Sequence, residues 1–557
     1  MSGDTLTYDM AQSSEGSSQI FLKKDWLNIL DNQNGNYRGS QSVIDTSQLA
    51  NSNKYMNYRE AYLAVPMVLT LTGTALTAPQ TAATSADYGI GLKNWFGSVI
   101  HSLTLDVGGT TIIQQTPYSG LWNTFKLMSS LSWNDVATIG ASIGFYPDNA
   151  LSVSFNAAAS VDGIGTCNNQ NFQTFPVVSG AFNSYDVAND GFLRRQQYIN
   201  YDATGLTAPG SAAFSTLLTK AACDQVYKSH VSNKVAGCVQ HAIMAIIQLK
   251  HIHSFFQNIP LVKGMFMKAT LNLNQPQVEL DATAGRELSI VSTNSPLGGV
   301  VPIMVSSART SNGLAAALTG AGNLYASLFV GNQVTWTAQT AQGAVNTNFT
   351  PSINLYVPSF TFNSVFEQAY LSNPVKRIVY TDIYQYLVSN VGAGANFNNL
   401  ITNGLAGIKS VTVLPYYTAA ANEGTAPIQS VFDPAGAGPT SPLVSLSNFN
   451  VVVSGQNMIY NTQKYGFEQF MNQYHGCCGV NAGLTDGLTS GFIDQLSFDT
   501  EYNYYYVNCS RMLPVEEPVP KSVSVIGQNL SAKAVDLYVF VEYGVEISID
   551  ILTGNRV

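Results

Sequence analysis

From Val535 to Ile551 every odd position is apolar or aromatic, while Asp536, Glu542, Glu546, Ser548 and Asp550 fall on even positions. A period of two sends alternate side chains to a core and to water, the mark of a half-buried strand. Strands usually span ~3–10 residues, and glycine often marks a bend. The run therefore predicts two antiparallel strands hinged at Gly544.

The same alternation recurs upstream. Strands are expected to begin at Tyr62–Leu71. In Val99–Ile113, Leu103, Leu105 and Val107 alternate with Ser102, Thr104 and Asp106. Gly108-Gly109 then supplies the positive φ of a tight hairpin. Leu121, Trp122, Phe125 and Met128 have helical spacing, which predicts a helix over Tyr118–Leu131 with Ser119 as its cap. Further strands follow at Ile243–Ile252 and Met267–Asn274, with a helical turn over Ser254–Lys263 between them.

A second series runs through Ile353–Phe362, Val375–Leu387, Ile408–Tyr417, Phe449–Ile459, a helical Tyr465–Tyr474, and Phe492–Asn508 before the closing strands. Its first member shares an apolar-Val-Pro step with the first strand (Ala64-Val65-Pro66 and Tyr356-Val357-Pro358). The two series divide at about residue 345. Residues 146–230 form a long Asn-, Ser-, Ala- and Gly-rich insertion, and insertions of that length usually carry function or contacts.

Residues 1–55 lack this patterning and read as an N-terminal arm. Inside it, Phe21–Leu30 is expected to be a short helix with Phe21, Leu22, Trp26, Ile29 and Leu30 on one side and Leu27 off that arc. Such a helix either packs on its own domain or docks on a neighbouring subunit.

The expected fold is all-β: two tandem jelly-roll β-sandwich domains with short helices and long loops. The first covers residues 56–345 and the second 346–557. Jelly rolls protect sheet edges by stacking two sheets, though pattern alone does not separate them from other sandwiches.

Charged residues make up 11% of the 557 residues, less than half the usual ~25%. A surface so poor in charge tends to associate, so cover by other subunits is expected. The net charge is −9, and residues 1–60 hold no basic cluster. Phosphate binding needs clustered cations, so direct nucleic-acid binding is not expected. Met1–Met10 is polar, without the apolar stretch of a signal peptide. Synthesis in a host cell without secretion, and free thiols, are therefore expected of the six cysteines. No run of ~20 apolar residues crosses a membrane as a helix.

The stretch Leu103–Ile113, followed by the Trp122-bearing helix, resembles a strand–Gly-Gly–helix element of double jelly-roll major capsid proteins of the adenovirus-type lineage of double-stranded DNA viruses. Ile243–Asn274, with Phe255-Phe256 and Pro260 in its turn, is similar to another element of those proteins. The closing strands and Thr553-Gly554 resemble the ends of virophage and Polinton-like virus capsid proteins.

The resemblance implies a homotrimeric, pseudo-hexagonal capsomer in an icosahedral virion shell. Its partners would be copies of itself, neighbouring capsomers, and penton and minor capsid proteins. An internal membrane is left open. Phe21, Leu22, Trp26, Leu27, Ile29 and Leu30 would then make contacts between capsomers. A minor capsid, fibre or carbohydrate-binding protein is the alternative.

No enzymatic activity, catalytic residue, cofactor or metal is expected. His241, His251 and His253 would share one side of a single strand, and a His-x-His pair can hold zinc or iron. No carboxylate or thiol nearby completes a ligand set, so a structural role is preferred. Cys477-Cys478 beside His475 lie in a glycine-flanked loop and are expected to be inert. Asp499, Glu501, Glu516 and Glu517, imaginable as sugar-cleaving carboxylates, read as solvated loop charges.

Overall fold

The computed structural model describes residues 20–37, 39–50, 52–73, 89–148, 191, 195, 197–198, 230–235, 238–281, 289–297, 300–306, 323–331, 352–418, 427–429, 431, 440, 444–460, 464–474, 492–500, 502–510 and 518–557. The Cys477-Cys478 pair, His475, Glu501, Glu516 and Glu517 lie outside them.

Sixteen strands form the frame. The first eight are β1 (Phe21–Leu30), β2 (Gln41–Asp45), β3 (Tyr62–Gly73), β4 (Ile100–Val107), β5 (Thr110–Ile113), β6 (Cys238–Gln248), β7 (Met267–Leu273) and β8 (Asn354–Phe362). The second eight are β9 (Val375–Val391), β10 (Asn396–Leu405), β11 (Ile408–Tyr417), β12 (Leu446–Val453), β13 (Gln456–Asn457), β14 (Tyr505–Asn508), β15 (Lys521–Asn529) and β16 (Val535–Asp550).

All pairings among them are antiparallel. The first set forms sheets in the order β1-β8-β3-β6 and β2-β7-β4-β5. The second set repeats this order as β9-β16-β11-β14 and β10-β15-β12-β13. Each of the first eight frame strands therefore has an equivalent among the second eight, in the same order. Asn323–Val330 also pairs with β3 and extends the first sheet through Gln277–Asp281 and Ser289–Asn294.

The helices are short. Helix α1 (Ser119–Ser130) and α2 (Trp133–Ile143) follow β5, α3 (Ser364–Leu371) joins the units, and α4 (Phe467–Gln473) follows β13. Ser132 caps α2, accepting from the Asp135 amide while the Asp135 carboxylate accepts from the Ser132 amide. Alternation explains the cores. In β7, Met267, Ala269, Leu271 and Leu273 are buried, while Lys268 is exposed. One contiguous buried cluster runs through both units and the junction between them.

Several expectations are corrected. Phe21–Leu30 is a strand, not a helix, and sits at the edge of the first sheet. Leu27 and Ile29 face the core, while Lys24, Trp26, Asn28 and Leu30 face outward. Apolar residues on both faces hide the period of two and mimic a helical arc. From residue 20 onward, the supposed arm belongs to the first unit.

The division also moves. Asn354–Phe362 pairs with β1 and β3, so the first unit closes at Phe362 and not at about 345. The shared apolar-Val-Pro steps are neighbours in one sheet, with Ala64 opposite Asn354 and Tyr62 opposite Tyr356.

Gly544 does not split the closing run, because β16 is continuous through it. It marks where β11 leaves, with its amide donating to the Gly407 carbonyl at 2.8 Å. Ser119 does not cap α1; its hydroxyl donates to the His101 carbonyl at 3.1 Å. Within Phe492–Asn508, Gln495–Thr500 is helical and only Tyr505–Asn508 is strand.

Candidate functional site

Two surfaces concentrate aromatic side chains. One is the seam between the units. Helix α1 lies on the outer face of the sheet β9-β16-β11-β14. Tyr118 meets Tyr538 edge to face with ring centroids 5.0 Å apart, and Trp122 reaches Phe540 at 6.0 Å. Phe125 packs on Tyr504 at 4.9 Å and on Tyr506 at 6.2 Å. The Tyr474 hydroxyl donates to Ser129 Oγ at 2.6 Å. Tyr538 and Phe540 are on the side of β16 opposite Val539 and Val541, which fill the second core.

Polar contacts fix the rest of the seam. The Tyr380 hydroxyl donates to the Ile112 carbonyl at 3.1 Å, and Thr116 Oγ1 donates to the Ile383 carbonyl at 3.2 Å. Asp382, a buried carboxylate on β9, faces His253 Nε2 at 3.3 Å and accepts from the Tyr543 hydroxyl at 3.3 Å and the Ile383 amide at 2.8 Å. Burial first, and then the Asp382 charge, pushes the Tyr543 phenol well above its ordinary value. Burial also depresses His251, whose ring lies against Trp95, to about 4.

These groups do not make a nucleophilic site. His253 is held at both nitrogens, by Asp382 and by the Phe255 amide at 3.2 Å. Ser254 Oγ accepts from the Thr381 amide at 3.0 Å and donates to the Thr381 carbonyl. The cleft beside them offers about 140 Å³, well below the ~300–1,000 Å³ of usual small-molecule sites. His251 and His253 are not on a strand with His241, because β6 ends at Gln248 and a helical turn covers Leu249–Ile252. Among the described residues, no cluster of three His, Cys, Asp or Glu could hold a metal. Asp499 is exposed on the short helix Gln495–Thr500. Cys509 is buried, its thiol donating to the Val507 carbonyl at 3.6 Å.

The second surface is the outer face of the sheet β1-β8-β3-β6. Tyr62 and Tyr356 stack with centroids 5.1 Å apart, and Trp26 joins them at 5.6 Å. Trp26 is 49% exposed, and Phe21, Leu22 and Leu30 are exposed as well. Of the six residues expected to make contacts, these four are available. Ile29 is buried and Leu27 packs against the core, so those two hold the barrel together instead. Tyr62 and Tyr356, which the strand register sets beside Trp26, lie outside the expected contact set.

One roll of eight strands thus occurs twice in one body. The chain is a double jelly roll. No family model matches its sequence, and no curated protein does either. Among solved structures, this double jelly roll is similar to the mavirus major capsid protein, at 10% identity over 96% of this chain and 89% of that chain, with a TM-score of 0.43. It is similar to a chain of the Sputnik virophage structure at 9% identity over 97% of this chain and 88% of that chain, with a TM-score of 0.40. The Faustovirus major capsid protein is similar at 10% identity over 95% of this chain and 90% of that chain, with a TM-score of 0.40.

Proposed function

We propose that this double jelly roll is a major capsid protein that assembles as a homotrimer, six barrels making a pseudo-hexagonal capsomer of an icosahedral virion shell. One observation carries the reading: two equivalent barrels are joined through an aromatic seam, while Trp26 at the edge of the equivalent sheet of the first barrel stays half exposed. A repeating contact used once inside the chain is suited to being used again between chains, where symmetry closes it. The low charge of 11% fits surfaces meant to be covered. The reading places the protein in the virion, with neighbouring capsomers and penton and minor capsid proteins as partners, and assigns it no catalysis.

Native mass spectrometry of the full chain tests this. The expected result is a stable species of three times 59.8 kDa, forming sheets or shells seen by electron microscopy at high concentration. A monomer at micromolar concentration that binds a glycan array would overturn it in favour of a carbohydrate-binding or fibre protein.

A further inference from the structure

The turn between β1 and β2 holds buried oxygens that no donor satisfies. Asp31 is only 3% exposed. Its Oδ2 accepts from the Gln33 amide at 3.2 Å, while Oδ1 is buried without a hydrogen-bond partner. Gln33 Oε1 and Ser42 Oγ are buried without a partner as well. The Tyr37 and Ser42 hydroxyls stand beside the Asp31 carboxyl. Burial is the strongest influence on that carboxyl and raises its pKa, and among the described residues no lysine, arginine or histidine offsets its charge.

A buried carboxylate is costly unless it is paired or coordinates a metal, and buried polar atoms without partners are rare. A proton on Asp31 would serve one neighbouring oxygen and no more. A water would bring two protons and no charge. A cation answers the charge and several oxygens together. A cleft of about 190 Å³ reaches the same turn, lined by Asn36, Tyr37, Ser40, Gln275 and Gln277 among others, and none of its described lining residues is charged. It gives a hydrated ion a polar way in, with no cation of the protein's own to repel it.

We infer that the β1–β2 turn is a calcium site, with Asp31 Oδ1 as its one charged ligand, Ser42 Oγ, Gln33 Oε1 and Tyr37 Oη as neutral ligands, and water completing the shell. Calcium takes six to eight oxygens, neutral and charged alike, so three titratable ligands are not required. A single carboxylate sets a weak affinity, with Kd in the ~10⁻⁴–10⁻³ M range. The place gives the ion a task. The Asp31 amide donates to the Ile353 carbonyl at 3.1 Å, and the Tyr37 hydroxyl accepts from the Ile353 amide at 2.6 Å. Ile353 leads into β8, so a bound ion fastens the β1–β2 turn to the strand that closes the first unit. The site stands whether or not the chain assembles.

The test uses the full chain, stripped with chelator and titrated with calcium or with terbium, whose emission tyrosines such as Tyr37 excite. At about 10 mM calcium, well above the expected Kd, the urea midpoint of the parent is expected to rise, and calcium is expected to displace terbium. Asp31→Asn should abolish the midpoint shift and weaken terbium binding roughly tenfold or more, because the only charged ligand is gone. Glu546→Gln, which alters an exposed carboxylate paired with Arg377, should leave both responses intact. Magnesium should shift the midpoint less, because it gives up its waters reluctantly. Circular dichroism checks folding; should Asp31→Asn fail to fold, Ser42→Ala, which keeps the charge, is expected to reduce the calcium shift. No calcium shift in the parent, or an equal shift in the parent and the site variant, would overturn the inference.

Discussion

Trp122 of the first barrel lies against Phe540 of the second, with ring centroids 6.0 Å apart, on a sheet face that a lone jelly roll would leave to solvent. That contact makes the two rolls one packed body, because the buried cluster continues through it.

Phe125 sits at the centre of the same seam, fully buried between Tyr474, Tyr504 and Tyr506. Phe125→Ala is expected to cost ~3–5 kcal/mol, the range for a large aromatic removed from a close-packed core. Guanidinium denaturation should show it as a lower midpoint. A loss below ~1 kcal/mol would mean that the seam is not packed this way.

Gly554 holds the last turn of the chain under the first barrel. Its φ is 69, and an added Cβ would collide with the Met265 backbone. Gly109, at φ 81, has open space around its missing Cβ. Gly109→Ala should therefore cost only the left-handed penalty of ~1–2 kcal/mol, and Gly554→Ala clearly more. Urea midpoints of the two variants, measured side by side, check the order.

His251 is expected to make the protein acid-sensitive. Its folded value of about 4 lies below the ordinary 6.5 because burial disfavours the charged ring, with the Lys250 charge a smaller cause. Between those values the unfolded chain binds the extra proton, so stability falls as pH drops from 6.5 towards 4. The contribution is on the order of 3 kcal/mol. His251→Phe should flatten the difference between unfolding free energies at pH 7 and pH 4.5; an unchanged difference would assign the acid response elsewhere.

Arg195 and Asp148 form a buried pair at 2.6 Å, and Arg195 Nε also donates to the Leu92 carbonyl at 2.9 Å. Arg195→Met removes the cation that faces a buried carboxylate and should cost ~3–5 kcal/mol. Adding Asp148→Asn should recover a large part of it. A double-mutant cycle measures the coupling, and purely additive losses would contradict it.

Local elements were legible where one face of a strand is wet. The Gly108-Gly109 hairpin, the alternation of Met267–Leu273 and the helix bearing Trp122 all appear near their expected places. β1 was not legible, because Trp26 and Leu30 on its outer side erase the alternation that Leu27 and Ile29 set up inside. The affiliation of β8 was hidden for another reason: its partner β1 is more than three hundred residues away, and no local pattern records such a pairing. The aromatic cluster of Trp26, Tyr62 and Tyr356 was half legible. Trp26 stood out, while Tyr62 and Tyr356 looked like ordinary strand aromatics until the register placed them side by side.

That distance between β1 and β8 has a cost during synthesis. A ribosome adding ~5–20 residues per second exposes Phe21–Leu30 for roughly fifteen seconds to a minute before Asn354–Phe362 emerges to pair with it. Throughout that interval this sticky edge has no native strand to pair with, so the first roll closes late and invites chaperone protection.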